Sequence, residues 1–107
     1  MTLTTEHREL LRRLTLNDEG SLRMVMSGGN ADNPRLLDDR TRALVKLAGL
    51  VALDAEIASL QVARDEVWAS GARDEEILYA VMTVAPIVGT ARIATTIPRL
   101  SIALEGD

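Results

Sequence analysis

The chain of 107 residues contains no cysteine and no phenylalanine, a single histidine, one tryptophan and one tyrosine. Without thiols there can be no disulfide, no thiolate metal centre and no thiol redox cycle carried by these residues, and cysteine usage gives no clue to compartment. With aromatics at 2% against 47% hydrophobic residues, the interior has to be filled by Leu, Val, Ile, Ala and Met, which suits packed helices. Long apolar runs are also missing. The longest, Ile77 to Val88, has 12 residues, short of the 18 or more that span a bilayer. The first sixteen residues carry Glu6, His7, Arg8, Glu9, Arg12 and Arg13 where a signal peptide needs an uninterrupted apolar centre. A cytoplasmic protein with no membrane association is therefore expected. A formal charge of -4 disfavours binding to a phosphate backbone, so no nucleic-acid partner is expected.

What is present outlines an all-α fold of about six helices in a single domain, 1–107, with an N-terminal helical arm over 1–29 and a core over 37–104. Thr4 or Thr5 caps a first helix with Leu10, Leu11 and Leu14 on its apolar face. Asn17 caps a second, which turns Leu22, Val25 and Met26 inward and stops at Gly28-Gly29. Asn30-Ala31-Asp32-Asn33-Pro34 reads as the hinge. Asp38 or Asp39 starts a third helix through Leu53, and Asp54 ends it or caps the next, which closes at Gly71. A fifth helix runs from about Asp74 to Ala85, started by the carboxylates Asp74, Glu75 and Glu76 and broken by Pro86 and Gly89. The sixth spans about Thr90 to Leu104, interrupted at Pro98.

Two of these helices, Ala43 to Leu53 and Ile77 to Val88, are apolar on most faces, more than four short neighbours can cover. A homo-oligomer is expected, because burying apolar surface at roughly 25 cal/mol per Å² drives copies together and like chains usually pair symmetrically.

Three blocks resemble the carboxymuconolactone decarboxylase family, which includes the alkylhydroperoxidase D-like proteins: Leu37-Asp38-Asp39-Arg40-Thr41-Arg42, then Gly71-Ala72 with Asp74-Glu75-Glu76-Ile77, then Ala85-Pro86-Ile87-Val88-Gly89 with Arg92. The resemblance covers about Leu37 to Leu104. It implies an alkylhydroperoxidase D-like helical bundle, assembly as a trimer or hexamer, and a pocket beside the helix before the Gly-Ala turn that takes a small carboxylate or lactone. The family's thiol-active branch carries Cys-x-x-Cys-x-x-x-His on that helix, the histidine eight residues before the turn glycine. Here those three positions are Glu56, Ser59 and Ala63. Thiol peroxidase activity should therefore be absent, and the histidine of the decarboxylase branch is missing too.

Glu56, Ser59, Ala63 and Arg92 are the candidate pocket residues. The first three share a helical face. Glu56 offers a carboxylate for general-base chemistry if burial raises its pKa, or else is a solvated glutamate, and Arg92 a bidentate clamp for an anionic substrate or an ordinary ion-pair partner. The resulting expectation is a small-molecule-binding or non-catalytic oligomer, with a replacement-residue enzyme built on Glu56 and Arg92 as the alternative. No cofactor and no metal are expected: Asn30, Asp32 and Asn33 offer oxygen ligands without the glutamate and spacing of an EF-hand. His7 lies far from Glu56 in sequence. Arg8, Arg12 and Arg13 alternate with Glu6 and Glu9 as a solvated face, and Trp68 and Tyr79 read as core or interface anchors.

Overall fold

A computed structural model describes residues 3–28 and 37–105, all of its regular structure helical. Six helices occur among them: α1 (Thr5–Thr15), α2 (Glu19–Met26), α3 (Asp39–Ala52), α4 (Ile57–Ala69), α5 (Asp74–Val88) and α6 (Thr90–Glu105). They fall into two compact units, α1 with α2 and α3 through α6. The hinge residues Asn30 to Pro34, and with them the candidate oxygen ligands Asn30, Asp32 and Asn33, lie outside the described residues. No described helix is long and apolar enough to cross a membrane.

Short polar side chains start three of the helices. Thr4, Asp18 and Asp38 each accept a hydrogen bond from the backbone N–H three residues on, at 3.2, 2.9 and 2.8 Å. The cap of α2 is thus Asp18 rather than Asn17. Asn17 instead closes α1 in the left-handed region at φ 58°. Asp54 (φ 56°) ends α3 and Gly71 (φ 88°) ends α4 in the same way. At all three ends the residue after the left-handed one bonds back five residues, Asp18 to Arg13, Ala55 to Leu50 and Ala72 to Val67, which satisfies carbonyls a helix terminus would otherwise orphan.

In the unit of α1 and α2 the expected apolar interior does not form. Leu22, Val25 and Met26 are exposed, α1 has no buried residue, and Ser21 alone is buried in α2, its hydroxyl donating to Asp18 at 2.7 Å. Two short helices enclose too little volume for a core. Glu9 binds both Arg12 and Arg13, and the Arg12 guanidinium, the leading influence, lowers its pKa to about 2.

The unit of α3 to α6 does have a core. α3 packs on α4 and α5, α4 on α6, and Leu47, Val51, Leu60, Val67, Ile77 and Leu100 meet at 1% exposure or less. Each such side chain contributes about 1.5–3 kcal/mol by leaving water. α3 and α5 run with their N-termini together, joined by the Arg40–Glu76 ion pair, while Lys46 reaches Glu66 on α4 at 3.2 Å. Glu76 also accepts from the Arg73 backbone N–H at 2.8 Å and so starts α5.

Both proline-containing helices differ from expectation. α5 passes through Pro86 to Val88 and stops at Gly89 (φ 101°), and α6 passes through Pro98 without interruption. Pro86 sits in the last turn, where a single missing N–H costs one ladder bond and packing of the helix continues past it. Arg64, although charged, is buried: it donates to the Ala103 carbonyl and to Asp65 at 2.9 Å, and lies 4.5 Å from the Trp68 ring centre. Trp68 itself is half exposed and donates to Asp74 at 2.6 Å.

Acid should act on this unit through Asp38 and Glu76. The Thr41 hydroxyl and backbone N–H hold the Asp38 carboxyl below its usual range, and Arg40, then the Arg73 N–H, do the same for Glu76. A pKa lowered in the folded state gives stability that is fully present above about pH 5 and is lost as pH falls through the lowered value. Urea midpoints should stay level from pH 7 to about pH 5 and drop below about pH 4. A loss centred above pH 5 would show that other groups control acid unfolding.

Candidate functional site

The turn between α3 and α4 organises a place where polar side chains from α6 converge. Asp54 stands at the left-handed position usually given to glycine, a strain on the order of 1 kcal/mol for a residue with a Cβ. Its carboxylate explains the choice. Oδ1 accepts from the Thr96 hydroxyl at 2.9 Å and from Arg99 Nη1 at 2.8 Å, and the same Arg99 nitrogen donates to the Asp54 carbonyl at 3.1 Å. Thr96 is fully buried. Arg92, one turn earlier on α6, donates from Nη1 to the Ala52 carbonyl at 2.9 Å. Arg92, Thr96 and Arg99 recur at the four- and three-residue spacing of one helical face, so α6 brings two guanidinium groups to the negative end of the α3 dipole.

Between this turn and the start of α6 lies an open groove of about 550 Å³, lined by Asp54, Val88, Gly89, Thr90, Ala91, Arg92 and Thr95. Arg92 spends one donor on Ala52, and a guanidinium has five N–H groups. The Thr95 hydroxyl donates to the Ala91 carbonyl at 3.0 Å and keeps its lone pairs for an incoming donor. Gly89, at φ 101°, makes the sharp passage from α5 to α6 that forms one wall.

Of the four candidate pocket residues, the structure brings only Arg92 to the groove. Glu56 is the exposed N-cap residue of α4 and its side chain makes no capping bond. Ser59 is exposed on the first turn. Ala63, 4% exposed, is packed in the core beside Leu60 and Val67. The shared helical face exists, but it dives into the core within two turns, so its three residues do not line one cavity. His7 belongs to α1 in the other unit, where its backbone N–H meets Thr4.

The residues that reading by sequence missed are Asp54 as a side-chain acceptor, Thr96 and Arg99. Their signal was present as a polar stripe, Arg92, Thr96 and Arg99, on a helix otherwise nearly free of charge. Chemically the groove offers hydrogen-bond donors, one cation and the Asp54 carboxylate, with no thiol and no imidazole among its lining groups. The carboxylates with displaced acidity, Glu9, Asp18, Asp38 and Glu76, are all lowered, the direction opposite to that of a general base tuned toward neutral pH. No group of three or more metal-ligating side chains occurs among the described residues.

Comparison of the chain with family models, with curated proteins and with solved structures returned no match.

Proposed function

We propose that this chain is a homo-oligomeric helical binding protein, a divergent relative of the carboxymuconolactone decarboxylases that holds a small carboxylate or lactone in the Asp54–Arg92 groove and performs none of the family's thiol or histidine chemistry. The observation that carries this reading is the groove itself: an arginine and two threonines at the start of a helix, lining an open groove large enough for a small organic acid, with no thiol and no imidazole beside them. Support for the kinship comes from how the three sequence blocks sit. Arg40 of the first block is paired with Glu76 of the second, and the third, from Ala85 to Arg92, supplies most of the groove. The trimer or hexamer implied by the resemblance belongs to the same proposal, together with a cytoplasmic location.

A reaction with Glu56 as base and Arg92 as clamp requires both groups at one ligand. Glu56 does not line the groove, so binding is preferred over catalysis.

Calorimetric titration of the protein with small mono- and dicarboxylates and with their lactones tests this. Saturable binding by one class is expected, and Arg92→Ala should weaken it at least tenfold, since a charge-assisted bond is worth about 1.5–3 kcal/mol. No saturable binding in either class, or equal affinity in the variant, would overturn the assignment of the groove.

A further inference from the structure

The solvent side of α5 carries no charge after its first turn. From Ile77 to Ala91 the chain has fifteen consecutive residues without a charged group. Only Ile77 and Val81 of α5 are buried. Leu78, Tyr79, Met82 and Ile87 stay exposed, at 50%, 67%, 62% and 86%. Leu78, Met82 and Pro86 follow at four-residue intervals along the outer face, with Tyr79 and Thr83 beside them. The exposed Thr83 donates its hydroxyl to the Tyr79 carbonyl at 2.7 Å.

We infer that this face is covered by the same face of a second copy, α5 against α5 in antiparallel sense about a two-fold axis near Met82. This names the contact within the oligomeric part of the proposed function and rests on it. Two features identify a like copy as the occupant. The first is area: Leu78, Tyr79 and Met82 at their exposed fractions present on the order of 350 Å², nearly half of the roughly 800 Å² per partner that a stable interface buries, before the neighbouring residues of the same face are added. The second is charge. A neutral strip meets itself without repulsion, and its charged ends choose the direction. A parallel pair would stack Asp74, Glu75 and Glu76 on the same carboxylates of the partner. The antiparallel pair separates the two acidic turns and places each beside the other copy's Gly89–Arg92 segment, which holds the cation Arg92 and the positive end of α6. A two-fold of this kind closes a dimer and is equally the repeating contact of a dihedral hexamer.

The absence of cysteine makes the test direct. Introduced singly and oxidised with copper phenanthroline, a cysteine in Met82→Cys lies near its own symmetry mate and should form covalent dimers in high yield. Leu78→Cys lies about 12 Å from its mate, from a rise of 1.5 Å per residue, and should not. Val62→Cys, on the exposed side of α4, is the background control. Met82→Glu should lower the sedimentation mass relative to the parent while its circular dichroism stays helical, because Met82 is exposed in the single chain. Equal cross-linking at 78 and 82 would overturn the antiparallel arrangement. An oligomeric parent that neither cross-links at 82 nor responds to Met82→Glu would overturn the α5 contact and leave the oligomer standing. A monomeric parent would remove both.

Discussion

Replacing Leu60 by alanine should destabilise the α3–α6 unit by about 3 kcal/mol, within the range of about 2–5 for a fully buried leucine. Leu60 is wholly inaccessible, on the first turns of α4, and belongs to the one cluster that joins α3, α4, α5 and α6. Its loss removes apolar burial and leaves a cavity that the helices can close only by shifting together. For a unit of this size the melting temperature should fall by about 10–20 °C at fixed protein concentration. Concentration has to be held constant because an oligomer is stabilised by mass action. Val62→Ala, two residues away on the exposed side, should change stability by no more than about 0.5 kcal/mol. Urea denaturation of the three proteins gives the comparison, and similar losses at 60 and 62 would mean that α4 does not pack as described.

The second large effect is expected at Asp54. Asp54→Ala leaves the buried Thr96 hydroxyl without its acceptor and Arg99 without its carboxylate while keeping a Cβ in the left-handed region, so a loss of about 2 kcal/mol follows. Asp54→Asn retains an oxygen acceptor and tolerates the backbone, and should lose less than half as much. Asp54→Gly relieves the strain but not the lost bonds, and should fall between the two. A cycle with Thr96→Val should be non-additive by at least about 0.5 kcal/mol, because the two residues share one hydrogen bond. If alanine and asparagine were equivalent, the carboxylate would be unimportant and the turn would depend on its backbone alone.

How far these features could be read from residues alone depended on whether their causes are local. Asp38 and the Gly71 turn are local: a carboxylate three residues before an available N–H and a glycine at a helix end require no knowledge of the rest of the chain. Arg64 was not legible, since a charge reads as surface unless the Ala103 carbonyl, thirty-nine residues later, is known to await it. Pro86 misled because its cost is local while the packing that carries α5 to Val88 is not. The inward assignment of Leu22, Val25 and Met26 followed amphipathic spacing correctly, but spacing cannot supply the mass of protein needed to bury them. At the site, Arg92 was found through a resemblance, whereas Asp54, Thr96 and Arg99 needed the fold: their pairing joins positions more than forty residues apart. Glu56 and Ser59 shared a face with Ala63 as expected, yet that face ends in the core.

Sedimentation equilibrium across a hundredfold dilution bears most directly on the central claim, that the uncharged outer side of α5 is shielded by further copies of the chain. Masses that are whole multiples of 11.6 kDa are expected, with dissociation on dilution restored toward the single chain by Met82→Glu. A mass of 11.6 kDa at every concentration would contradict it.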